Sequence, residues 1–201
     1  MARSERRAIL VLGLTASITL TTIPAWAGAP TEQLRSSVDQ VLRLLQGPAP
    51  TGEARRGALL RAIKPRFDLV EMARRALGHY WKDRTDRERE QFVALFGDLL
   101  QRAYLDRIEA YADERVDYIG ESLDGDYATV QTRIVTRRDT DIPVTYRMIQ
   151  RGDRWLVYDV LVEGVSLVEN YRPMLNWSQR CRPDCMKGRG RALEETLLRA
   201  R

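Results

Sequence analysis

Apolar residues recur at helical spacing over the first half of the chain and alternate over much of the second. Leu34, Val38, Val41, Leu42 and Leu45 share one face of a helix that Thr31 would N-cap and that Gly47-Pro48-Ala49-Pro50 would end. A shorter helix is expected over 53–63, ahead of Pro65. Asp68, with Glu71 three residues on, opens another, which carries Leu69, Met72, Ala73, Ala76 and Leu77 and stops at Gly78. Thr85 and Glu88 repeat the capping pattern before Phe92, Leu95, Phe96, Leu99, Leu100, Ala103, Ile108 and Tyr111. The helix expected there spans about 86–111. A break near Tyr104 is expected too, because so long an uninterrupted helix is unusual in a small domain.

Period two takes over near residue 116. Residues 116–119 read as a short strand, and Asp124-Gly125-Asp126 as a turn. Over 127–138, Ala128, Val130, Thr132 and Ile134 alternate with Gln131, Arg133 and Arg137. Over 142–150, Val144, Tyr146 and Met148 share a face, and Arg151-Gly152-Asp153 turns the chain into 155–162. In that last strand Trp155, Val157 and Leu161, with Asp159, face one way, and Leu156, Tyr158, Val160 and Val162 the other. A strand apolar on both faces has no solvated side. One face can pack on helices, and the other needs a second layer or an internal space. After Gly164, a helix is expected from about Ser166, with Val165, Leu167, Val168 and Tyr171 against the sheet. Residues 176–190 are polar and basic, and 191–201 return to a short amphipathic pattern with Leu193, Leu197 and Leu198. Helices, then a meander, then a helix imply an α+β fold with helices gathered on one side of an antiparallel sheet.

The first residues bear on location. Arg3, Arg6 and Arg7 precede an apolar stretch, then Pro24 and Ala25-Trp26-Ala27. That is the order of a secretory signal peptide, with cleavage expected after Ala27. The apolar run is shorter than the roughly 20 residues of a membrane span. Residues 28–175 then form the main domain and 176–201 a C-terminal segment. A chain of 174 residues is large enough for a real core. Of 33 basic and 28 acidic residues, 30 and 27 remain after cleavage, and the net charge falls from +5 to +3. So mixed a surface points away from nucleic acid.

Chemistry is sparse. The only His is His79, so Ser-His-Asp and Cys-His arrangements all depend on it. It sits just past a helix end, where packing or capping is its expected role. No glycine-rich loop has phosphate-cradling spacing. With one His and two Cys, a metal site is not expected. In an oxidising compartment, Cys181 and Cys185 are open to pairing. Asp159, on a mostly apolar strand, is the one carboxylate that stands out. A hydrogen-bonded structural role near Tyr158 or an Arg is its first reading, and a general base in an enzyme the second.

Four segments read together resemble the MlaC, or toluene-tolerance, family of periplasmic phospholipid-binding proteins. They are Phe67-Asp68 through Met72-Ala73-Arg74-Arg75-Ala76-Leu77-Gly78 to Tyr80-Trp81; Gln91-Phe92-Val93 with Phe96, Leu99-Leu100 and Tyr104; Pro143-Val144-Thr145-Tyr146 leading to Trp155-Leu156-Val157-Tyr158-Asp159-Val160; and Val162-Glu163-Gly164-Val165-Ser166-Leu167-Val168-Glu169-Asn170-Tyr171-Arg172. The resemblance spans about residues 31–175. It implies a curved, NTF2-like antiparallel sheet packed with several helices around an apolar lipid pocket. It implies a carrier and not an enzyme, with phospholipid as cargo and no other cofactor. The implied partners are an inner-membrane ABC transporter with an MCE-domain protein and an outer-membrane lipoprotein–porin complex. Another envelope lipid, such as a hopanoid, is an alternative cargo. An NTF2-like enzyme using Asp159 and a pocketless adaptor are the alternative functions. The family pattern continues past Tyr171-Arg172 as a long amphipathic helix, from which residues 176–190 depart.

No short motif of that family designates pocket residues, so the candidates come from strand faces and helix stripes. They are Phe67, Met72, Phe92, Phe96, Leu99 and Tyr104 on the helical half. Val130, Ile134, Val144, Tyr146, Met148, Tyr158 and Val160 come from the strands, and Val165, Leu167, Val168 and Tyr171 from the segment after Gly164. The same spacing also suits an ordinary core.

Overall fold

The computed structural model describes residues 30–48, 52–110, 114–136 and 140–180. The expected signal segment, Ala49-Pro50, Tyr111, Arg137, Cys181, Cys185 and residues 191–201 lie outside the described residues.

Helices come first: α1 (Pro30–Gln46), α2 (Glu53–Ile63), α3 (Leu69–Leu77) and α4 (Asp86–Ala110), with 3-10 turns at Lys64–Arg66 and Gly78–Trp81. Then follow β1 (Arg115–Asp124), β2 (Tyr127–Val135), β3 (Asp141–Arg151), β4 (Arg154–Val162), β5 (Val165–Ser166) and α5 (Leu167–Arg180). The strands form one antiparallel sheet in the order β1-β2-β3-β4-β5. The α+β class expected from the sequence is the class observed.

The caps behave largely as their chemistry dictates. Asp68 accepts the N–H of Glu71 at 2.9 Å, and Gly78, at φ 62°, closes α3 in a conformation that favours glycine. The Glu71 side chain does not reach back to complete a box. It is buried and grips Arg74 and Arg75 at 2.6 and 2.7 Å. Thr85 and Glu88 do form the reciprocal pair, with the N–H of Thr85 donating to Glu88 at 2.8 Å and that of Glu88 to Thr85 at 3.3 Å. Thr31 is not an N-cap. The helix already starts at Pro30, whose fixed φ suits a first turn, and Thr31 instead donates from its N–H and hydroxyl to Glu121 on β1.

Three further expectations need correction. Helix α4 runs unbroken through Tyr104, since nothing between Asp86 and Ala110 removes a backbone donor. Strand β1 extends to Asp124 because the ladder to β2 holds even Gly120-Glu121-Ser122. A bulge between Tyr118 and Gly120 leaves Ile119 exposed.

The third concerns β4. Arg147 pairs with Asp159 but Met148 pairs with Val157, so Tyr158 is an extra, bulged residue. The faces therefore switch at Tyr158. Trp155, Val157, Val160 and Val162 share the face of Val144, Tyr146 and Met148, while Leu156, Asp159 and Leu161 lie on the other.

Apolar burial falls into three groups. Leu34 of α1 packs on the first sheet face against Ala128, Val130, Val144, Met148, Trp155, Val157 and Val160. Met72, Ala73, Ala76, Phe96, Val168 and Tyr171 join α3, α4 and α5. Leu45, Leu59 and Leu105 join α1, α2 and the end of α4. Helix α3 is tied to β4 by the Asp68 N–H, which donates to the Val157 carbonyl at 2.9 Å. Among the described residues, no helix is long and apolar enough to cross a membrane.

Candidate functional site

Helix α1 lies across one face of the sheet without filling the space beneath it. The partly open hollow there has a volume of about 180 Å³. Its roof is the α1 stripe of Leu34, Val38, Val41, Leu42 and Leu45, with Ser37 beside it. Its floor is Val116, Ile134 and Tyr146 from three neighbouring strands. Ile63, Arg66, Phe67, Ile108 and Glu114 complete the lining. From Leu34 to Leu45 the roof is roughly 16 Å long at the α-helical rise. The hollow is thus a short apolar tunnel.

Tyr146 shows what the hollow does to its walls. The side chain is only half-buried by exposed surface, yet burial pushes its phenol up to about 12. The surface it exposes faces the hollow. Burial likewise raises the pKa of Tyr118, whose hydroxyl has no hydrogen-bond partner among the described residues and whose ring carries the Arg35 guanidinium at 4.4 Å. The Oε2 of Glu114 is also buried without a hydrogen-bond partner among the described residues.

Polar groups mark the two ends. Val116 pairs with Ile134, which pairs with Ile142, so Glu114 belongs to the start of β3. Trp155 pairs with Gln150 near the far end of β3, and its carbonyl accepts from Arg66 at 2.7 Å. Arg66 also donates to Ser37 and to Gln33 of α1, each at 2.9 Å. Gln33 Oε1 accepts in turn from the Trp155 N–H at 2.9 Å. This network fastens the first turns of α1 to β4.

Of the candidates read from sequence, Phe67, Ile134 and Tyr146 line the hollow. Val130, Val144, Met148 and Val160 are buried in the packed sheet face beside it. Met72, Phe92, Phe96, Leu99, Tyr104, Tyr158, Leu167, Val168 and Tyr171 meet in the α3–α4–α5 cluster. There Phe96 lies 5.8 Å from Phe92, stacked, and 5.8 Å from Tyr171, edge-on. Val165 is 62% exposed on the two-residue strand β5. Most of the lining was not selected from sequence, although the α1 stripe was there to be read as a wall as well as a helix.

Asp159 is buried, and its carboxylate is fully engaged. It accepts from Ser166 Oγ at 2.7 Å, the Val168 N–H at 3.1 Å and Arg147 at 3.2 Å. That is the structural role, next to an Arg, which was its first reading. His79 lies exposed in the 3-10 turn, its ring 3.9 Å from that of Tyr80. Among the described residues, no group of three His, Cys, Asp or Glu could hold a metal ion.

Comparison with known proteins adds three findings. The model of the family described as MlaC protein matches residues 35–177. An intermembrane phospholipid transport system binding protein MlaC from Haemophilus influenzae is 25% identical over 120 residues, which are 57% of this chain and 55% of that protein. The alignment thus spans about half the length of that relative. A solved structure of a phospholipid-binding protein from Ralstonia solanacearum, in complex with a phospholipid, has a TM-score of 0.67 at 22% identity. It covers 86% of this chain and 97% of that one. At that identity the likeness is one of fold.

Proposed function

The chain belongs to the MlaC family, and from that premise we propose that it is a periplasmic carrier which shields the acyl chains of a phospholipid beneath α1 while moving it between the two membranes. Its partners in this reading are an inner-membrane ABC transporter with an MCE-domain protein and an outer-membrane lipoprotein–porin complex. The chain acts as a vehicle and catalyses no reaction.

Physical chemistry sets the task. Each buried methylene is worth about 0.8 kcal/mol, so two acyl chains of about thirty methylenes cost on the order of 20 kcal/mol to expose. A carrier must offer an apolar space of nearly bilayer quality, so that loading and unloading stay close to balance. The observation that carries the reading is the apolar tunnel between α1 and the sheet. At about 180 Å³ it is smaller than the roughly 300–1,000 Å³ of typical ligand pockets. Holding two chains therefore requires α1 to lift from the sheet. Its first turns are held there by hydrogen bonds from Thr31, Gln33 and Arg66, which can break and re-form with water.

Native mass spectrometry of the protein purified from a bacterial host tests this. One phospholipid per chain is the expected result. A lipid-free mass under gentle extraction would overturn the reading.

A further inference from the structure

Arg66 lines the tunnel, and the exposed Arg154, on the face of β4 opposite Trp155, reaches the main chain beside it. Arg66 and Arg154 each donate to the main chain beside the other: Arg66 to the carbonyl of Trp155, and Arg154 to the carbonyl of Pro65. This reciprocal pairing brings residues 65–66 and 154–155 side by side and fixes both side chains. Arg66 uses Nε and Nη1 for Ser37, Gln33 and Trp155, and its Nη2 makes no hydrogen bond among the described residues.

Neither arginine has a carboxylate within ion-pair distance among the described residues. Arg74 and Arg75 on α3 and Arg147 and Arg151 on β3 all do. Two cations held together without an anion repel each other, and burial of Arg66 adds to the cost. Both effects lower the pKa of Arg66, burial first and Arg154 second. Such an arrangement is relieved by an anion that its own acyl chains anchor there, an anchor that a free anion lacks.

We propose that Arg66 and Arg154 form an anion site at the Trp155 end of the tunnel, which takes the phosphodiester of the cargo while its acyl chains run beneath α1. The inference rests on the carrier reading and names the part of the lipid that the protein recognises. Guanidinium forks suit phosphate oxygens. The phosphodiester is common to phospholipids, so the site selects them over neutral lipids without choosing among headgroup alcohols. The orientation follows: phosphate by Arg66, chain ends towards Ile108 and Glu114.

The test offers the full-length protein vesicles equimolar in dioleoylphosphatidylglycerol and dioleoylglycerol, and counts the two complexes by native mass spectrometry. Wild type should favour the phospholipid. Arg154→Gln should lower the phospholipid-to-diacylglycerol ratio about tenfold, the worth of one charge-assisted hydrogen bond. Arg66→Lys, which keeps the charge but loses the fork, should also lower it. Arg87→Gln, an exposed charge removed elsewhere, should leave it unchanged. Inorganic phosphate alone should give no binding heat. Unchanged ratios in both arginine variants of a lipid-carrying protein would overturn the anion site and leave the carrier reading standing. Phosphate binding without any change in the ratio would overturn the headgroup assignment. Wild type that takes up neither lipid would overturn both.

Discussion

The carboxylate of Asp159 accepts the backbone N–H of Val168 at 3.1 Å, so β4, the neighbour of the strands that floor the tunnel, also caps the first turn of α5. Ser166 completes the joint, its hydroxyl donating to Asp159 and accepting the N–H of Glu169 at 3.0 Å. Replacing Asp159 with Asn keeps the shape but loses the charge that faces Arg147. The expected cost is about 1.5–3 kcal/mol in urea denaturation, with lipid content per folded molecule unchanged. Full stability combined with lost lipid would mean that Asp159 acts on the cargo.

Glu71 makes stability depend on acidity. Arg74 first, and Arg75 with it, hold its carboxyl below the usual carboxylate value, against the opposing effect of burial. A lowered folded-state pKa contributes stability above the unfolded value of about 4.3, and that stability is lost as pH falls through the folded value. Glu71→Gln should therefore be less stable than wild type at pH 7, and the gap should close as pH falls below about 4. Thermal melts across that range check the sign. A gap that widens in acid would contradict it.

Tunnel and core respond differently to substitution. Val41 lines the tunnel, so Val41→Trp places its ring in open space. Stability within about 1 kcal/mol of wild type is expected, with bound lipid reduced severalfold. Val144 is only 3% exposed and sits in packed core. Val144→Glu buries an unpaired carboxylate and should cost about 4 kcal/mol or more. Circular dichroism melts alongside lipid analysis separate the two outcomes.

The α3–α4–α5 cluster makes a third case. Phe96 is 2% exposed between Phe92 and Tyr171. Phe96→Ala should cost about 3–5 kcal/mol, as a cavity in packed core does. Molecules that remain folded should keep their lipid. Selective loss of lipid would move the cargo into that cluster.

The sequence was most legible where local chemistry decides structure. Capping at Asp68 and Thr85, the stop at Gly78 and the α1 stripe all follow from residue types at fixed spacing. The β4 bulge was not legible. Val157-Tyr158-Asp159-Val160 reads as unbroken alternation, and only pairing with Arg147 and Met148 selects Tyr158 as the extra residue. The tunnel was partly legible, for a general reason. Periodicity says which side of an element is apolar, but not whether that side meets another side chain or a void. Strand alternation supplied Ile134 and Tyr146 of the floor. Aromatic and methionine stripes drew attention to Met72 and Phe96, which are packed. The plainer Leu and Val stripe of α1 faces the open space.

The most direct test of the account is photo-crosslinking with a phospholipid that carries a diazirine within its acyl chain, followed by peptide mapping. Labels on α1 around Val38, Val41 and Leu45, and on the strands around Ile134 and Tyr146, are the predicted result. Labels confined to Met72, Phe96 and Val168, with none on α1, would contradict it.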